Sequence, residues 1–111
     1  MQKPLVFELN EKQEHQPLLQ GQPQSCGMRS GRVWLAPGKA CSVHTTGDHE
    51  EQLVFLAGQG VARIEQSSLP VGRGKICYIP PHTEHSIANT GHEPMEYIYC
   101  VAPARSPQKA L

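Results

Sequence analysis

The sequence lacks an excess of charge of either sign and any long apolar run. Its ten Lys and Arg residues balance ten Asp and Glu residues, so the formal net charge is zero. Without a basic surface it has little to neutralise a nucleic-acid backbone or an anionic lipid surface. No stretch approaches the roughly 18 apolar residues that cross a bilayer. We therefore expect no nucleic-acid partner, no membrane association and a cytoplasmic location.

The four cysteines form no CxxC pair and lie far apart, at Cys26, Cys41, Cys77 and Cys100. Because the cytoplasm keeps thiols reduced, we expect four free thiols. The even number leaves a disulfide framework open as the alternative. Isolated buried cysteines pack as small apolar side chains, which is the role expected of Cys41 and Cys77, with soft metal ligation as the alternative.

Aromatic residues make up only 5% of the chain, whereas glycine and proline number ten each. Frequent turn residues favour many tight turns over long helices. Short apolar or alternating runs recur between these turns, at 32–35, 41–45, 52–56, 61–64, 76–79, 86–88 and 97–102. Regular short strands separated by turns predict an all-β sandwich or barrel.

With 111 residues the chain is the size of one domain. Residues 1–27 are predicted to form a polar N-terminal arm that begins with an edge strand, residues 28–105 the barrel, and residues 106–111 a polar tail. The predicted core consists of Val33, Leu35, Val43, Leu53, Phe55, Val61, Ile64, Ile76, Ile79, Ile87, Ile98 and Val101. Aromatic residues such as Tyr78, Tyr97 and Tyr99 are expected in the core or lining the barrel.

Four of the six histidines fall into two clusters, and the first holds His44, His49 and Glu51. If residues 47–48 form a two-residue hairpin turn, Thr46 pairs with His49, and His44 pairs with Glu51. All four side chains would then lie on one face. Two imidazoles and a carboxylate on one face predict a site for a first-row divalent metal ion. An exposed turn position is the alternative for His49.

The second cluster contains His82 and His85. The prolines at 80–81 end one strand, and a new strand is predicted to begin near His85, with His82 exposed in the turn between them. His15 and His92 stand alone in polar sequence, and we expect both to be ordinary surface residues.

The first cluster resembles the first cupin motif. Gly38 is followed after five residues by His44, Glu51 lies seven residues beyond His44, and six residues separate Glu51 from Gly58. The motif has glycine, histidine, histidine, glutamate and glycine at these spacings. Thr46 stands where the motif has its second histidine.

The second cluster resembles the second cupin motif of glycine, proline, glycine, histidine and asparagine. The matching residues are Gly74, Pro80, His85 and Asn89 at the motif spacings, and His82 replaces the motif's turn glycine. A non-glycine residue there suggests that this turn does not need a positive φ.

The resemblance implies an antiparallel double-stranded β-helix, or jelly-roll barrel, that holds a divalent metal ion at its mouth. His44, Glu51 and His85 match the motif ligands, and His49 would supply the ligand that is missing at Thr46. The ion would be Fe, Zn, Mn or Ni. Histidines that are merely hydrogen-bonded inside a barrel without metal are the alternative. Pairing of cupin barrels also implies a homodimer.

Two histidines and one carboxylate leave coordination positions open for a small molecule or dioxygen. The favoured function is a dioxygenase with Fe(II) acting on a small molecule. A metal-dependent isomerase or lyase with Zn(II) or Mn(II), and a non-catalytic module that binds a small molecule or the metal itself, are the alternatives. No catalytic residue is assigned, and Tyr78, His82 and Glu84 are the nearby candidates for acid–base chemistry.

Overall fold

The computed structural model describes residues 2–104, so the predicted tail at 106–111 lies outside the described residues. Those residues contain no helix that could span a membrane. Nine strands lie within them: β1 (Gln16–Gln20), β2 (Arg29–Leu35), β3 (His44–Thr45), β4 (His49–Ala57), β5 (Gln59–Ile64), β6 (Ser67–Gly72), β7 (Ile76–Ile79), β8 (Glu84–Asn89) and β9 (Met95–Pro103).

The strands form two antiparallel sheets that face each other. The five-stranded sheet has the order β1-β2-β9-β4-β7, and the four-stranded sheet has the order β3-β8-β5-β6. The chain passes from one sheet to the other after β2, β3, β4, β6, β7 and β8. This is the predicted all-β jelly roll.

Two of the strands, β1 and β6, lie outside the apolar or alternating runs from which strands were predicted. β6 contains Pro70 and is an edge strand of its sheet, where a residue without an N–H is tolerated. β1 is one of the two edge strands of the other sheet. An edge strand followed by a loose arm was expected from the sequence, but the observed order is reversed, since residues 2–15 are irregular and precede β1.

The core lies between the sheets. Leu53, Phe55, Ile79 and Ile87 are buried there as predicted. Val43 and Ile76 were wrongly assigned to the core, because they are 67% and 66% exposed. Ile76 alternates with the inward-facing Cys77 and Ile79 on β7, and Val43 precedes a strand of only two residues. The remaining members of the buried cluster are Ala62, Val71, Cys77, Met95 and Tyr97.

The buried side chain of Arg32 holds the N-terminal arm against the sheet. It is only 1% exposed, and its guanidinium donates to backbone carbonyls of Asn10, Lys12 and Glu14 at 3.0–3.2 Å. It also donates to the Asn10 side chain at 2.7 Å and to Glu96 at 3.3 Å. A guanidinium carries five N–H donors in a fixed plane, so one side chain can fasten a segment that has no strand pairing of its own.

Thr46 joins the two turns that carry the sequence motifs. Its hydroxyl donates to the carbonyl of Pro80 at 2.8 Å and accepts from the backbone N–H of Thr83 at 3.1 Å. Its own N–H donates to the carbonyl of Thr83 at 3.3 Å. The residue that stands in place of the second motif histidine therefore links neighbouring turns.

His82 adopts the conformation that its motif glycine would adopt. Its φ is 56°, so the expectation that this turn needs no positive φ was wrong. The strain of a left-handed non-glycine residue is offset by contacts of the turn, since the His82 N–H donates to the carbonyl of Gly47 at 2.6 Å. As predicted, His82 is exposed.

Replacing Arg32 with methionine should release the arm. We expect Arg32→Met to lower the free energy of unfolding by about 1–3 kcal/mol, because several hydrogen bonds to a charged donor are lost. Protease cleavage within residues 2–15 should become faster. Chemical denaturation and limited proteolysis measure these effects, with Arg63→Met at an exposed strand position as the control. An arm that stays protected in Arg32→Met would contradict this role.

Replacing Thr46 with valine removes the hydroxyl and keeps the shape of the side chain. We expect the free energy of unfolding to fall by about 1–3 kcal/mol, because the Thr83 N–H loses its acceptor and the Pro80 carbonyl loses a donor. Thr90→Val, at an exposed position, is the matched control. Equal denaturation midpoints for the two variants would show that Thr46 does not link the turns.

Candidate metal site

His44 and His85 are direct partners on neighbouring strands of the four-stranded sheet. They are paired in the register of β3 and β8, and their ring centroids lie 4.2 Å apart with the planes at 62°. His85 is only 2% exposed, whereas His44 is exposed. The short strand β3 therefore brings together two histidines that are 41 residues apart in the sequence.

Glu51 reaches the same point from the opposite sheet. It lies on β4, where it pairs with Ile79 and Val101. The predicted hairpin pairing of His44 with Glu51 was therefore wrong. A tight turn does form, because the His49 N–H donates to the Thr46 carbonyl at 3.1 Å, but the strands on either side of it join different sheets.

One potential ligand atom from each of His44, Glu51 and His85 lies within 4.8 Å of the others. The Nδ1 atom of His44 is 3.0 Å from the carbonyl of Ser42, and Nδ1 of His85 is 3.1 Å from the carbonyl of Thr83. A neutral imidazole that donates from Nδ1 carries its lone pair on Nε2. Backbone carbonyls thus hold both rings in the tautomer that binds a metal through Nε2.

The contact between His85 and Glu51 shows that this site fits a cation. Nε2 of His85 is buried and has no hydrogen-bond partner among residues 2–104, although Oε1 of Glu51 is 2.8 Å away. With Nδ1–H directed at Thr83, both atoms offer lone pairs and repel each other unless a positive charge lies between them. A proton or a metal ion supplies that charge.

The pKa of His85 reflects the same arrangement. Burial by itself lowers this pKa, but the Glu51 carboxylate and the Thr83 carbonyl outweigh burial and raise it above its ordinary value. In the absence of metal the ring therefore retains a proton to higher pH. A metal ion must displace that proton, so metal affinity should fall as the pH is lowered.

A pocket of about 270 Å³ opens onto the three ligands. Its apolar wall is formed by Val33, Leu53, Ile87 and Val101. Such a wall limits access of water to a bound ion, while three ligands leave coordination positions for a small molecule. The polar groups that face the pocket beside the ligands include Tyr97, Tyr99 and Arg29.

His49 lies outside this cluster. Its Nδ1 is 2.9 Å from the exposed carboxylate of Asp48, and His49 is not among the residues that line the pocket. The four cysteines are free thiols. Cys77 is buried in the core, whereas Cys41 is half-buried and lines the pocket.

His15 makes a contact near the pocket that the sequence pattern did not indicate. His15 was expected to be an ordinary surface residue, but its Nε2 lies 2.7 Å from the hydroxyl of Tyr99. The two rings are stacked, with centroids 5.7 Å apart and planes at 8°. No local pattern around an isolated histidine in polar sequence signals such a contact, because its partner is 84 residues away.

Two relatives align with part of the chain. An uncharacterized protein of Methanocaldococcus jannaschii is 32% identical over 69 residues, which is 62% of this chain and 55% of that protein. An oxalate-binding protein of Thermotoga maritima is 30% identical over 67 residues, which is 60% of this chain and 55% of that protein. The matched part spans about half the length of each relative.

Solved structures share the fold at low sequence identity. A protein from Bacillus halodurans superposes with a TM-score of 0.77 at 18% identity, covering 96% of this chain and 88% of that one. An RmlC-like cupin with a double-stranded β-helix fold from Methanocaldococcus jannaschii gives a TM-score of 0.75 at 16% identity, covering 93% of both chains. A predicted oxalate decarboxylase from Thermotoga maritima gives a TM-score of 0.68 at 17% identity, covering 88% and 99%.

The family model of the cupin domain matches residues 31–101, which is more than half of the chain. This region contains both sequence motifs and the three clustered ligands. With its motifs, its two antiparallel sheets and its family match in agreement, the chain belongs to the cupin family.

Proposed function

We propose that this protein holds one divalent transition-metal ion through His44, Glu51 and His85 and that a small molecule binds at the remaining coordination positions. The observation that carries the proposal is the buried Nε2 of His85, which faces the Glu51 carboxylate without a hydrogen-bond partner among residues 2–104. A cation at this point satisfies both groups. His49, which lies outside the cluster, is not required.

The favoured reaction is oxidation of the small molecule by dioxygen. Two histidines and one carboxylate are the ligand set of many Fe(II) oxygenases. When bound, Fe(II) would supply redox chemistry towards dioxygen, whereas Zn(II) or Mn(II) would polarise a carbonyl or hydroxyl group for isomerase or lyase chemistry. The protein's own contribution is to hold the ion, to orient the ligand in the pocket and to exclude water with its apolar wall.

A non-catalytic binding module is the second candidate. The relative from Thermotoga maritima is an oxalate-binding protein, and we extend binding of a small molecule without turnover to this chain as the alternative. The positions of the three acid–base candidates also favour this alternative. None of Tyr78, His82 and Glu84 lines the pocket. The hydroxyl of Tyr78 donates instead to Glu50 at 2.8 Å, on the exposed side of the sheet. The homodimer and the cytoplasmic location stay predictions.

Elemental analysis tests the metal site. We expect protein purified without added metal to contain one kind of transition metal, at up to one ion per chain. His44→Ala and His85→Ala should each lose most of it, because two remaining ligands bind a divalent ion weakly. His49→Ala and His92→Ala are the controls and should keep the wild-type content. Retention of metal in His44→Ala would show that the ligands are assigned wrongly, and its loss in His49→Ala would make His49 a ligand.

Oxygen consumption distinguishes the candidate reactions. The iron-loaded protein should consume dioxygen with one class among thiols, diketones, phenols and small organic acids, and His85→Ala should abolish that consumption. Product formation without oxygen uptake by zinc- or manganese-loaded protein would favour an isomerase or lyase. Tight binding with no turnover of any class would favour the binding module.

A further inference from the structure

We propose that Arg29 and Tyr99, with His15 holding Tyr99 in position, form a carboxylate-binding subsite on the pocket wall made by β2 and β9, so that the ligand of this site is a small organic acid. The inference rests on the proposed function, because the other end of the acid would bind the proposed metal ion. The subsite itself consists of side chains that are present whether or not a metal ion is bound.

The hydroxyl of Tyr99 is held in place on this wall. Tyr99 lines the pocket, and its oxygen lies 2.7 Å from Nε2 of His15, with the two rings stacked. Tyr99 pairs with Leu53 on β4, two residues along the strand from the metal ligand Glu51. Side chains two residues apart on a strand lie on the same face, so a ligand beside the metal site also meets Tyr99.

The neighbouring backbone leaves room for this pair. Gly31 on β2 lies opposite Tyr99, and a Cβ atom at Gly31 would be 2.5 Å from the Tyr99 hydroxyl and 2.9 Å from Nε2 of His15. A residue with a side chain would therefore force the two rings apart. Because Arg32 fastens the arm through residues 10–14, the arm is held where His15 can reach across Gly31.

Arg29 supplies the positive charge. It is the single Lys or Arg residue among those that line the pocket. Burial raises the pKa of Tyr99, an effect that nearby Arg29 partly opposes and Glu51 reinforces, so the phenol keeps its proton at neutral pH. When His15 donates from Nε2 to the Tyr99 oxygen, the single O–H of the phenol is free to donate to a ligand. The Arg29 guanidinium and the Tyr99 phenol can then both donate to a carboxylate.

Two of the three residues of this proposal lie outside the part of the chain that matches the cupin domain model. His15 and Arg29 both lie outside the 31–101 region that matches the cupin domain model. The acid's second oxygen group would then occupy an open coordination position of the ion. The positive charge of the ion also offsets the repulsion that buried Glu51 would exert on an anion.

Isothermal titration of the metal-loaded protein tests this proposal. The probes are oxalate, malonate and succinate, each compared with its uncharged diamide of the same shape. We expect at least one acid to bind about tenfold or more tightly than its diamide, since hydrogen bonds to charged groups are stronger than neutral ones. Equal binding of every acid and its diamide would overturn the proposal.

Side-chain variants test which residues cause the preference for an acid over its diamide. Tyr99→Phe should lower the affinity for the preferred acid about tenfold, and Arg29→Met should lower it several-fold, because an exposed charge is screened by water. Neither variant should change metal content or diamide binding. Tyr78→Phe and Arg63→Met remove the same groups from exposed positions outside the pocket and should bind as the wild type does. Wild-type affinity in both Tyr99→Phe and Arg29→Met would overturn the proposal.

His15 is a positioning residue in this scheme, and its variants test that role. His15→Ala should reduce the preference for acid over diamide, and His15→Gln, which keeps a polar nitrogen near the phenol, should restore part of it. Unchanged preference in His15→Ala would remove His15 from the subsite. If Tyr99→Phe does not fold by circular dichroism, the exposed Arg29→Met variant decides the outcome.

A titration without metal separates this proposal from the metal site. Acetate added to metal-free protein should shift the ring NMR signals of Tyr99 and His15, and Arg29→Met should weaken the shift. If the purified protein holds no metal but this shift occurs, the proposed metal function fails and the subsite stands. If metal is bound but neither acetate nor any of the three acids prefers the subsite, the subsite fails and the metal function stands.

Discussion

The pairing of β3 with β8 is the constraint on which the site depends. It is only two residues long, yet it places His44 beside His85 at the mouth between the sheets. So short a pairing has few backbone hydrogen bonds of its own, and it is supported at its end by Thr46, whose hydroxyl joins the turn after β3 to the turn before β8. A position that carries a metal ligand in the motif thus serves here to hold two other ligands in register.

The second constraint is electrostatic. A carboxylate and an imidazole nitrogen are buried 2.8 Å apart, while the other nitrogen of the ring faces a backbone carbonyl. Burial of charged and polar groups is unfavourable unless each is satisfied, so this pair requires a cation of some kind. That positive charge can be a proton on His85, whose pKa is raised, or the proposed metal ion. The apolar wall strengthens that requirement by keeping water away.

The N-terminal arm connects packing to the pocket. Arg32 points to the outer face of its sheet and would be an exposed strand residue without the arm that covers it. By binding carbonyls of the arm it sets the path of the chain just before β1, and His15 lies on that path. The contact of His15 with Tyr99 requires the absence of a side chain at Gly31. It therefore depends on three separate parts of the chain, namely the arm, β2 and β9.

Local sequence determined which residues are suited to the site, and the tertiary structure decided how they meet. Motif spacing was sufficient to select His44, Glu51 and His85. Turn residues with short alternating runs predicted an all-β sandwich or barrel, and the resemblance to the cupin motifs implied the jelly roll. The predicted hairpin pairing of His44 with Glu51 was wrong. The sequence of a tight turn does not show whether the strands on either side of it pair with each other or join opposite sheets. Ile76 was assigned to the core because its side chain is apolar, although it lies on the face of β7 opposite Cys77 and Ile79. The sequence pattern also could not show that Arg32 is buried. Which face of a strand is covered depends on segments distant in the sequence, and only the folded chain brings those segments together.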